Sequence, residues 1–403
     1  MRALLRDFSL SAAVAGFIAT VISYAGPLVI IFQAADAAHL SREVLSSWVW
    51  AISIGSALLG IGLSLRYRVP VIIAWSAPGS ALLVALLPGI SMAEAVGAYL
   101  VSSVIILLIG ISGAFDRIIS KLPGAIAAAM LAGILFSFGT GLFVSLQGKP
   151  LLVLAMFATY LLCKRVLPRY AVLMVLLVGC SIAFIGGDLH RDALVIGFAT
   201  PVWITPQFSL SATLNIALPL VMVALTGQFV PGMAVLRASG YSTPASPIIA
   251  SSALGSALLA PFGCHGLNLA AITAAICTGR EAHEDPRKRY VAGVAGGLCY
   301  LVLGIFGATL VSLFSAFPKE LIAALAGLAL FAAIAGALAG AMAVPNDREA
   351  ALVTFLATAS GMSLFGLSAA FWGLIFGMLT HFLLGVQRAG PEVQASPEKK
   401  VVH

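Results

Sequence analysis

Long hydrophobic runs alternate with short polar segments along the whole chain. The runs from Leu10 to Phe32 and from Ala93 to Gly113 are typical of this pattern. Each is about as long as the ~20 apolar residues with which an α-helix crosses a hydrocarbon core of roughly 30 Å. Because such runs recur through the sequence, the pattern predicts an all-α membrane protein that crosses the bilayer many times.

Charged residues, prolines and glycines divide the hydrophobic runs into about fourteen predicted spans. A polar loop at residues 187–207 separates the first seven from the last seven. The first seven are predicted at residues 8–32, 44–65, 71–87, 93–113, 123–146, 150–163 and 169–186. The last seven are predicted at residues 208–236, 246–260, 263–278, 290–314, 320–341, 350–364 and 366–386.

The basic residues indicate how these spans are oriented. The chain has 22 Lys and Arg, and such residues concentrate in the cytoplasmic loops of membrane proteins. If the N-terminus is cytoplasmic, the only basic residues on the opposite side are Arg42, Lys149, Arg191 and Lys319. This asymmetry predicts a multi-pass protein of the cytoplasmic (inner) membrane with an even number of spans and both termini in the cytoplasm.

Composition narrows the class of function. Hydrophobic residues make up 61% of the chain and charged residues 9%, whereas a soluble domain has roughly 25% charged residues. The net charge of +7 is spread over short loops, which argues against a nucleic-acid partner. The five cysteines form no CxxC pair and no HExxH motif is present. We therefore expect no metal site, no cofactor and no enzymatic activity.

The two halves of the chain have opposite predicted orientations. Each half has an odd number of predicted spans, so the second half begins on the other side of the membrane from the first. We therefore expect two inverted seven-span repeats, at residues 1–200 and 201–403. Inverted repeats are the layout of many secondary transporters, and this layout favours a carrier.

The third span contains an interruption at about the middle of the membrane. Its first part is β-branched and follows Pro70, which favours an extended chain. Ser76 and Pro78 then form a typical helix start, with the serine as N-cap. Non-helical backbone at this depth is tolerated only inside protein or beside a water-filled cavity.

The tenth span contains a matching interruption in the second half of the chain. Pro261, Gly263 and Gly266 break the helix, and Asn268 is the predicted cap where it resumes. Two half-helices that begin near the midplane would direct free N–H groups at one another and favour a bound carboxylate. The alternative is that proline and glycine only kink two packed helices.

Polar and aromatic residues near the interruptions are the candidates for substrate binding. His265 lies within the second interruption and is the candidate proton-coupling residue, because a histidine titrates near neutral pH. The alternative for His265 is a neutral side chain satisfied by a backbone carbonyl. The full predicted substrate-binding set is Tyr24, Trp75, Ser76, Ala77, Gly79, Gln228, Phe229, Gly263, His265 and Asn268.

Four motifs carry a resemblance to a known family. They are Ser23–Pro27 (SYAGP), Ile73–Ser80 (IAWSAPGS), Gly227–Gly232 (GQFVPG) and Pro261–Asn268 (PFGCHGLN). With these motifs the chain resembles the bacterial benzoate/proton symporter family over nearly its whole length. The resemblance implies proton-coupled uptake of benzoate or a similar aromatic carboxylate. It also implies a uracil-permease-like fold, with a core of spans 1–4 and 8–11 and a gate of spans 5–7 and 12–14.

One departure from the nucleobase carriers of that fold bears on the substrate. Those carriers place acidic residues in the eighth and tenth spans, whereas residues 208–279 here contain no Asp or Glu. A site without carboxylates suits an anionic ligand.

Several functions other than a proton-coupled symporter are also compatible with the sequence. They are an anion exchanger or a sulphate- or nucleobase-type carrier, a channel and a membrane-embedded enzyme. The expected partners are a small aromatic carboxylate, protons and the lipid bilayer, with a homodimer left open.

Overall fold

A computed structural model describes residues 6–115, 117, 123–189, 195–365 and 367–387. This part of the chain is mostly helical, and eight of its helices are long and apolar enough to cross a membrane. Many large apolar side chains on the outer faces are exposed, among them Leu108, Ile185 and Leu383, as lipid-facing positions require. The predicted all-α membrane fold is confirmed. The count of fourteen spans stays a prediction.

The helices and strands of the first half coincide with the predicted spans. In chain order they are α1 (Leu10–Ala25), α2 (Pro27–Ala37), α3 (Arg42–Tyr67), β1 (Ile73–Trp75), α4 (Ala77–Leu86), α5 (Met92–Ser112), α6 (Gly124–Val144), α7 (Pro150–Val166) and α8 (Ala171–Ile185). Gly26 and Pro27 divide the first predicted span into α1 and α2, because proline cannot donate the next helical hydrogen bond.

The second half follows a similar order of elements, with an additional pair of short strands before its last helix. Its elements are α9 (Leu210–Ala238), α10 (Ala245–Leu259), β2 (Leu267–Leu269), α11 (Ile272–Thr278), α12 (Tyr290–Ile305), α13 (Gly307–Ser315), α14 (Lys319–Ala341), α15 (Arg348–Ala359), β3 (Ser363–Leu364), β4 (Leu367–Ser368) and α16 (Ala369–Gln387). Helix α9 contains two wider π-helical segments, Thr213–Ala217 and Leu225–Phe229, each just before a proline. Wider turns of this kind are frequent at functional sites.

The interruptions of the third and tenth spans form a two-stranded antiparallel ladder. Strand β1 pairs with β2 so that Ala74 lies opposite Asn268. The pairing continues beyond the strands, because the Ala270 N–H donates to the Ile72 carbonyl at 2.9 Å. Helix α4 then begins as predicted, with Ser76 Oγ accepting the Gly79 N–H at 2.9 Å.

The predicted start of the second half-helix is wrong. Asn268 lies in the middle of β2 and caps nothing, and α11 begins four residues later at Ile272 with no side-chain cap. The reason is the ladder, which keeps residues 267–269 extended. Gly263 and Gly266 have φ values of 101° and 153°, so these two glycines supply the left-handed turn that leads into the strand.

The described helices pack as two groups, as the core-and-gate prediction requires. In the first group α12 packs on α1 and α3, α5 packs on α10, and the ladder lies between them. In the second group α14 and α15 pack on α6, α16 packs on α15, and α7 packs on α8. We call these the core group and the gate group.

A polar cluster anchors one end of the ladder region. Arg68, which has a left-handed backbone at the end of α3, donates to Asp7 Oδ2 at 3.0 Å and to the Tyr290 hydroxyl at 2.8 Å. Burial raises the pKa of the Asp7 carboxyl, but the hydrogen bond from Tyr290, the charge of Arg6 and the hydrogen bond from Arg68 lower it further. The net pKa lies below its ordinary value, so Asp7 is an anion that ties three chain segments together.

Close helix packing in the core group depends on glycine. A Cβ atom at Gly16 of α1 would lie 2.2 Å from the Ala292 carbonyl oxygen of α12. We expect Gly16→Ala to force these helices apart and to destabilise the fold by about 1–3 kcal/mol. The measurement is the thermal unfolding midpoint of the purified protein in detergent, which should fall.

The matched control is Gly62→Ala in α3, where a Cβ atom would meet nothing within 4 Å. It should leave the midpoint unchanged or raise it slightly, since alanine has the higher helix propensity. An equal midpoint for both variants would refute the packing argument.

Candidate substrate site

A cavity of about 860 Å³ lies between the core group and the gate group. The core side of its wall includes the ends of both interrupted segments, with Trp75 and Ala77 at one and Ala271 to Thr273 at the other. The gate side includes many small residues of α6 and α14, such as Ala127 and Ala333, together with residues of α7 such as Tyr160. The interruptions therefore open onto one shared space, although they belong to different halves of the chain.

Most of the cavity wall is aliphatic or aromatic. The polar residues that line it are Ser23, Tyr160, Lys164, Thr226, Gln228 and Thr273. No Asp or Glu of the described residues lines it. A wall of this kind suits a ligand with an apolar body and one anionic end, because a nearby carboxylate would repel such a ligand.

The first turn of α11 offers the hydrogen-bond donors that the cavity needs. The N–H groups of Ile272, Thr273 and Ala274 have no side-chain cap. Thr273 Oγ1 and Trp75 Nε1 are buried without a hydrogen-bond partner in the part of the chain described. A buried donor left unpaired costs about 1–3 kcal/mol. Neither atom is accessible from the cavity in this conformation, so each can bind a ligand only after the surrounding side chains move.

The start of α4 offers fewer donors than its sequence indicates. Ser76 Oγ already accepts the Gly79 N–H, and Pro78 has no N–H at all. The serine cap and the proline that mark this helix start therefore leave fewer free N–H groups to bind an anion. Helix α11 is uncapped but has only seven residues, so its contribution is local hydrogen bonding and not a large dipole.

His265 is buried and both of its ring nitrogens have partners. The Trp48 indole N–H donates to Nδ1 at 3.1 Å, and Nε2 lies 3.1 Å from Ser80 Oγ. An indole only donates, so Nδ1 is the acceptor and Nε2 carries the proton. The Ser80 hydroxyl then accepts from Nε2 and donates to the Ser76 carbonyl at 3.0 Å. This chain of bonds holds a neutral imidazole behind the start of α4.

The structure divides the predicted site residues into three sets. Trp75, Ala77 and Gln228 line the large cavity. A second, enclosed space of about 10 Å³, roughly the size of one water molecule, is lined by Ser76, Phe229, His265 and Asn268. Neither lining includes Tyr24, Gly79 or Gly263.

The third set supports the site from behind. The Tyr24 hydroxyl bonds Ser53 Oγ, and its ring packs edge-on against Trp75 with centroids 5.1 Å apart. A Cβ atom on Gly263 would lie 3.0 Å from Trp48, so the glycine permits this close approach.

Sequence reasoning missed several residues of the cavity. Thr273 follows the Pro261–Asn268 motif by five residues, and Thr226 directly precedes the Gly227–Gly232 motif. The signal of each is a lone hydroxyl in an apolar stretch. Lys164 directly follows the predicted span at residues 150–163, where a basic residue is typical of an ordinary loop. The small residues of α6 and α14 give no sequence signal for a cavity, because their place on its wall depends on how the two groups meet.

Comparison with known proteins identifies relatives along nearly the whole chain. The family model described as Benzoate membrane transport protein matches residues 6–383. The Benzoate membrane transport protein of Acinetobacter baylyi is 52% identical over 384 residues, which cover 95% of this chain and 98% of that protein. The Inner membrane protein YdcO of Escherichia coli is 42% identical over 372 residues, which cover 92% of this chain and 95% of that protein.

Solved structures share the fold at low sequence identity. The transmembrane domain of the cyanobacterial bicarbonate transporter BicA matches with a TM-score of 0.59 at 14% identity, over 94% of this chain and 97% of that one. The murine anion transporter Slc26a9 in its inward-facing state matches with a TM-score of 0.62 at 14% identity, over 94% of this chain and 69% of that one. At these identities the likeness shows the fold alone.

Proposed function

Because this chain belongs to the benzoate membrane transport family, we propose that it takes up benzoate or a similar aromatic carboxylate together with protons across the cytoplasmic membrane. The observation that carries the proposal is the cavity. It is bounded by both interrupted spans, it has an apolar wall with a few hydrogen-bond donors, and no carboxylate of the described residues lines it.

An aromatic carboxylate matches the two kinds of surface in this cavity. Its ring packs on Trp75 and the neighbouring aliphatic wall, where it loses contact with water. Its carboxylate accepts hydrogen bonds from the first turn of α11, from Thr273 Oγ1 and from the Gln228 amide. The cavity is larger than one such ligand, so closure of the gate group around the ligand completes the site.

Alternating access follows from the arrangement of the two groups. We infer that residues 1–200 and 201–403 are inverted repeats, because the contact of α12 with α3 has its counterpart in the contact of α5 with α10. The ladder lies within the core group, whereas the cavity lies between the groups. Rocking one group against the other therefore opens the cavity to one side at a time and leaves the ladder intact.

Proton coupling through His265 remains a hypothesis, and the hydrogen bonds restrict it. An imidazolium ion carries protons on both nitrogens, so protonation of Nδ1 requires that the Trp48 N–H move away. In the conformation described, His265 is better suited to position the start of α4 than to exchange protons.

Anion exchange is the second candidate function. The observation that favours it is the fold shared with an anion transporter and a bicarbonate transporter. Exchange without a pH gradient, at the same rate as uptake with one, would support it over symport.

The direct test is uptake of labelled benzoate into proteoliposomes of the purified protein. We expect faster accumulation than in protein-free liposomes when the lumen is alkaline, because the neutral acid also crosses a bare bilayer. This protein-dependent part should collapse on addition of a protonophore and should be competed by other aromatic carboxylates but not by uracil. Uptake that ignores the pH gradient would exclude the symporter, and no saturable uptake of any aromatic carboxylate would exclude the substrate class.

Thr273→Val tests the donor group of α11. The variant keeps the side-chain shape but loses the hydroxyl, and a hydrogen bond to a charged group contributes ~1.5–3 kcal/mol. We expect the KM for benzoate to rise about tenfold or more.

The matched control is Thr278→Val, also in α11, whose hydroxyl donates to the Ala275 carbonyl and which is not part of the cavity lining. Its KM should stay close to that of the unmodified protein. Equal KM values for the two variants would remove Thr273 from the site.

His265→Ala separates coupling from positioning. If His265 positions α4, uptake driven by a pH gradient and benzoate counterflow without a gradient should fall to a similar extent, and this is the result we expect. A selective loss of gradient-driven uptake, with counterflow preserved, would instead make His265 the coupling residue.

A further inference from the structure

Lys164 is the single charged side chain of the described residues that lines the large cavity. It lies in the last turn of α7, in the gate group, and it is exposed. Tyr160, one turn earlier on the same helix, also lines the cavity. The cavity therefore has one positive charge at its exposed edge and an uncharged interior.

Among the described residues, no carboxylate forms an ion pair with Lys164. None of the ion pairs found among the described residues includes it. Its Nζ atom lies 5.6 Å from the centroid of the Tyr160 ring, a distance at which a cation is attracted to the ring face. This contact keeps the ammonium group beside the cavity.

We propose that Lys164 attracts the carboxylate of the substrate to the mouth of the cavity and so sets how fast anions enter on this side. The inference rests on the proposed function, because it takes an aromatic carboxylate as the ligand. A charge beside a cleft with low-dielectric walls raises the local concentration of the opposite charge and the association rate. It acts on the encounter more than on the bound complex.

The same position contributes to selection by charge. A neutral aromatic compound of the same shape gains nothing from Lys164, whereas an aromatic carboxylate is drawn towards the cavity before it contacts any donor of α11. Because the positive-inside pattern places this end of α7 in the cytoplasm, this selection acts on anions that bind from the cytoplasmic side.

Arg165 provides a matched control in the adjacent position. It is also exposed and basic and also lies in the last turn of α7, but it is not part of the cavity lining. Lys164→Gln and Arg165→Gln therefore remove the same charge from the same turn of the same helix. Lys164→Arg keeps the charge at the cavity edge.

The experiment measures the association rate constant of benzoate with each purified variant in detergent, by stopped-flow tryptophan fluorescence. At about 10 mM salt the Debye length is roughly 30 Å, and we expect Lys164→Gln to associate about three- to tenfold more slowly than the unmodified protein. At about 0.5 M salt the two rates should converge. The dissociation rate should change less than twofold, and Lys164→Arg should resemble the unmodified protein. Arg165→Gln should slow association less than Lys164→Gln does, because the Arg165 charge is within the same screening length but is not at the cavity edge.

Three outcomes would overturn the inference. One is an association rate for Lys164→Gln equal to that for Arg165→Gln. Another is a slower association of Lys164→Gln that persists at high salt, because salt screens the long-range attraction on which the inference depends. The third is a change confined to dissociation, which would place Lys164 in the bound complex. If the unmodified protein binds no aromatic carboxylate, the proposed function fails together with this inference, whereas normal binding with no effect of Lys164→Gln overturns the inference alone.

Discussion

The structure depends on one constraint: two stretches of extended backbone cross the membrane interior, and every N–H and C=O group in them needs a partner. Strands β1 and β2 meet this need largely by pairing with each other. Serines of neighbouring helices accept hydrogen bonds from backbone N–H groups at the ends of the ladder. Ser64 Oγ accepts the Val71 N–H at 3.1 Å, and Ser256 Oγ accepts the Leu267 N–H at 2.8 Å. Each half of the chain thus supplies a strand and a serine, and neither interrupted span is stable without the other.

The site is a consequence of this pairing. Because the strands are antiparallel, the helix after β1 and the helix after β2 leave from opposite ends of the ladder, and both begin against the same cavity. The donors that face the cavity are those that the ladder cannot use, above all the uncapped first turn of α11. The bonds from Trp48 through His265 and Ser80 fix the other end, at the start of α4. Binding capacity and backbone satisfaction therefore come from the same few residues.

Local signals in the sequence predict much of this arrangement, but they do not predict the parts that depend on distant residues. The cap at Ser76 and the break at Gly263 are local features, since a serine before proline and a run of glycines act through their own backbone. The strand at Asn268 is not local, because its conformation is set by a partner nearly 200 residues away, and the cap prediction failed for that reason. Thr273 and Lys164 were missed because their importance depends on where the gate group lies.

The core group contains the hydrogen-bonded ladder, and the gate group contains the opposite wall of the cavity. This separation explains how the cavity can open although the ladder is paired within one group. All hydrogen bonds of the ladder lie within the core group, so rotation of the gate group breaks none of them. Much of the gate side of the cavity is lined by alanine and glycine of α6 and α14, and small residues of this kind let helices approach closely. What changes during such a movement is the exposure of the uncapped donors. Under the proposed function, an anion bound there would stabilise the closed contact, and an empty site would leave buried donors unpaired, so occupancy and closure would be linked.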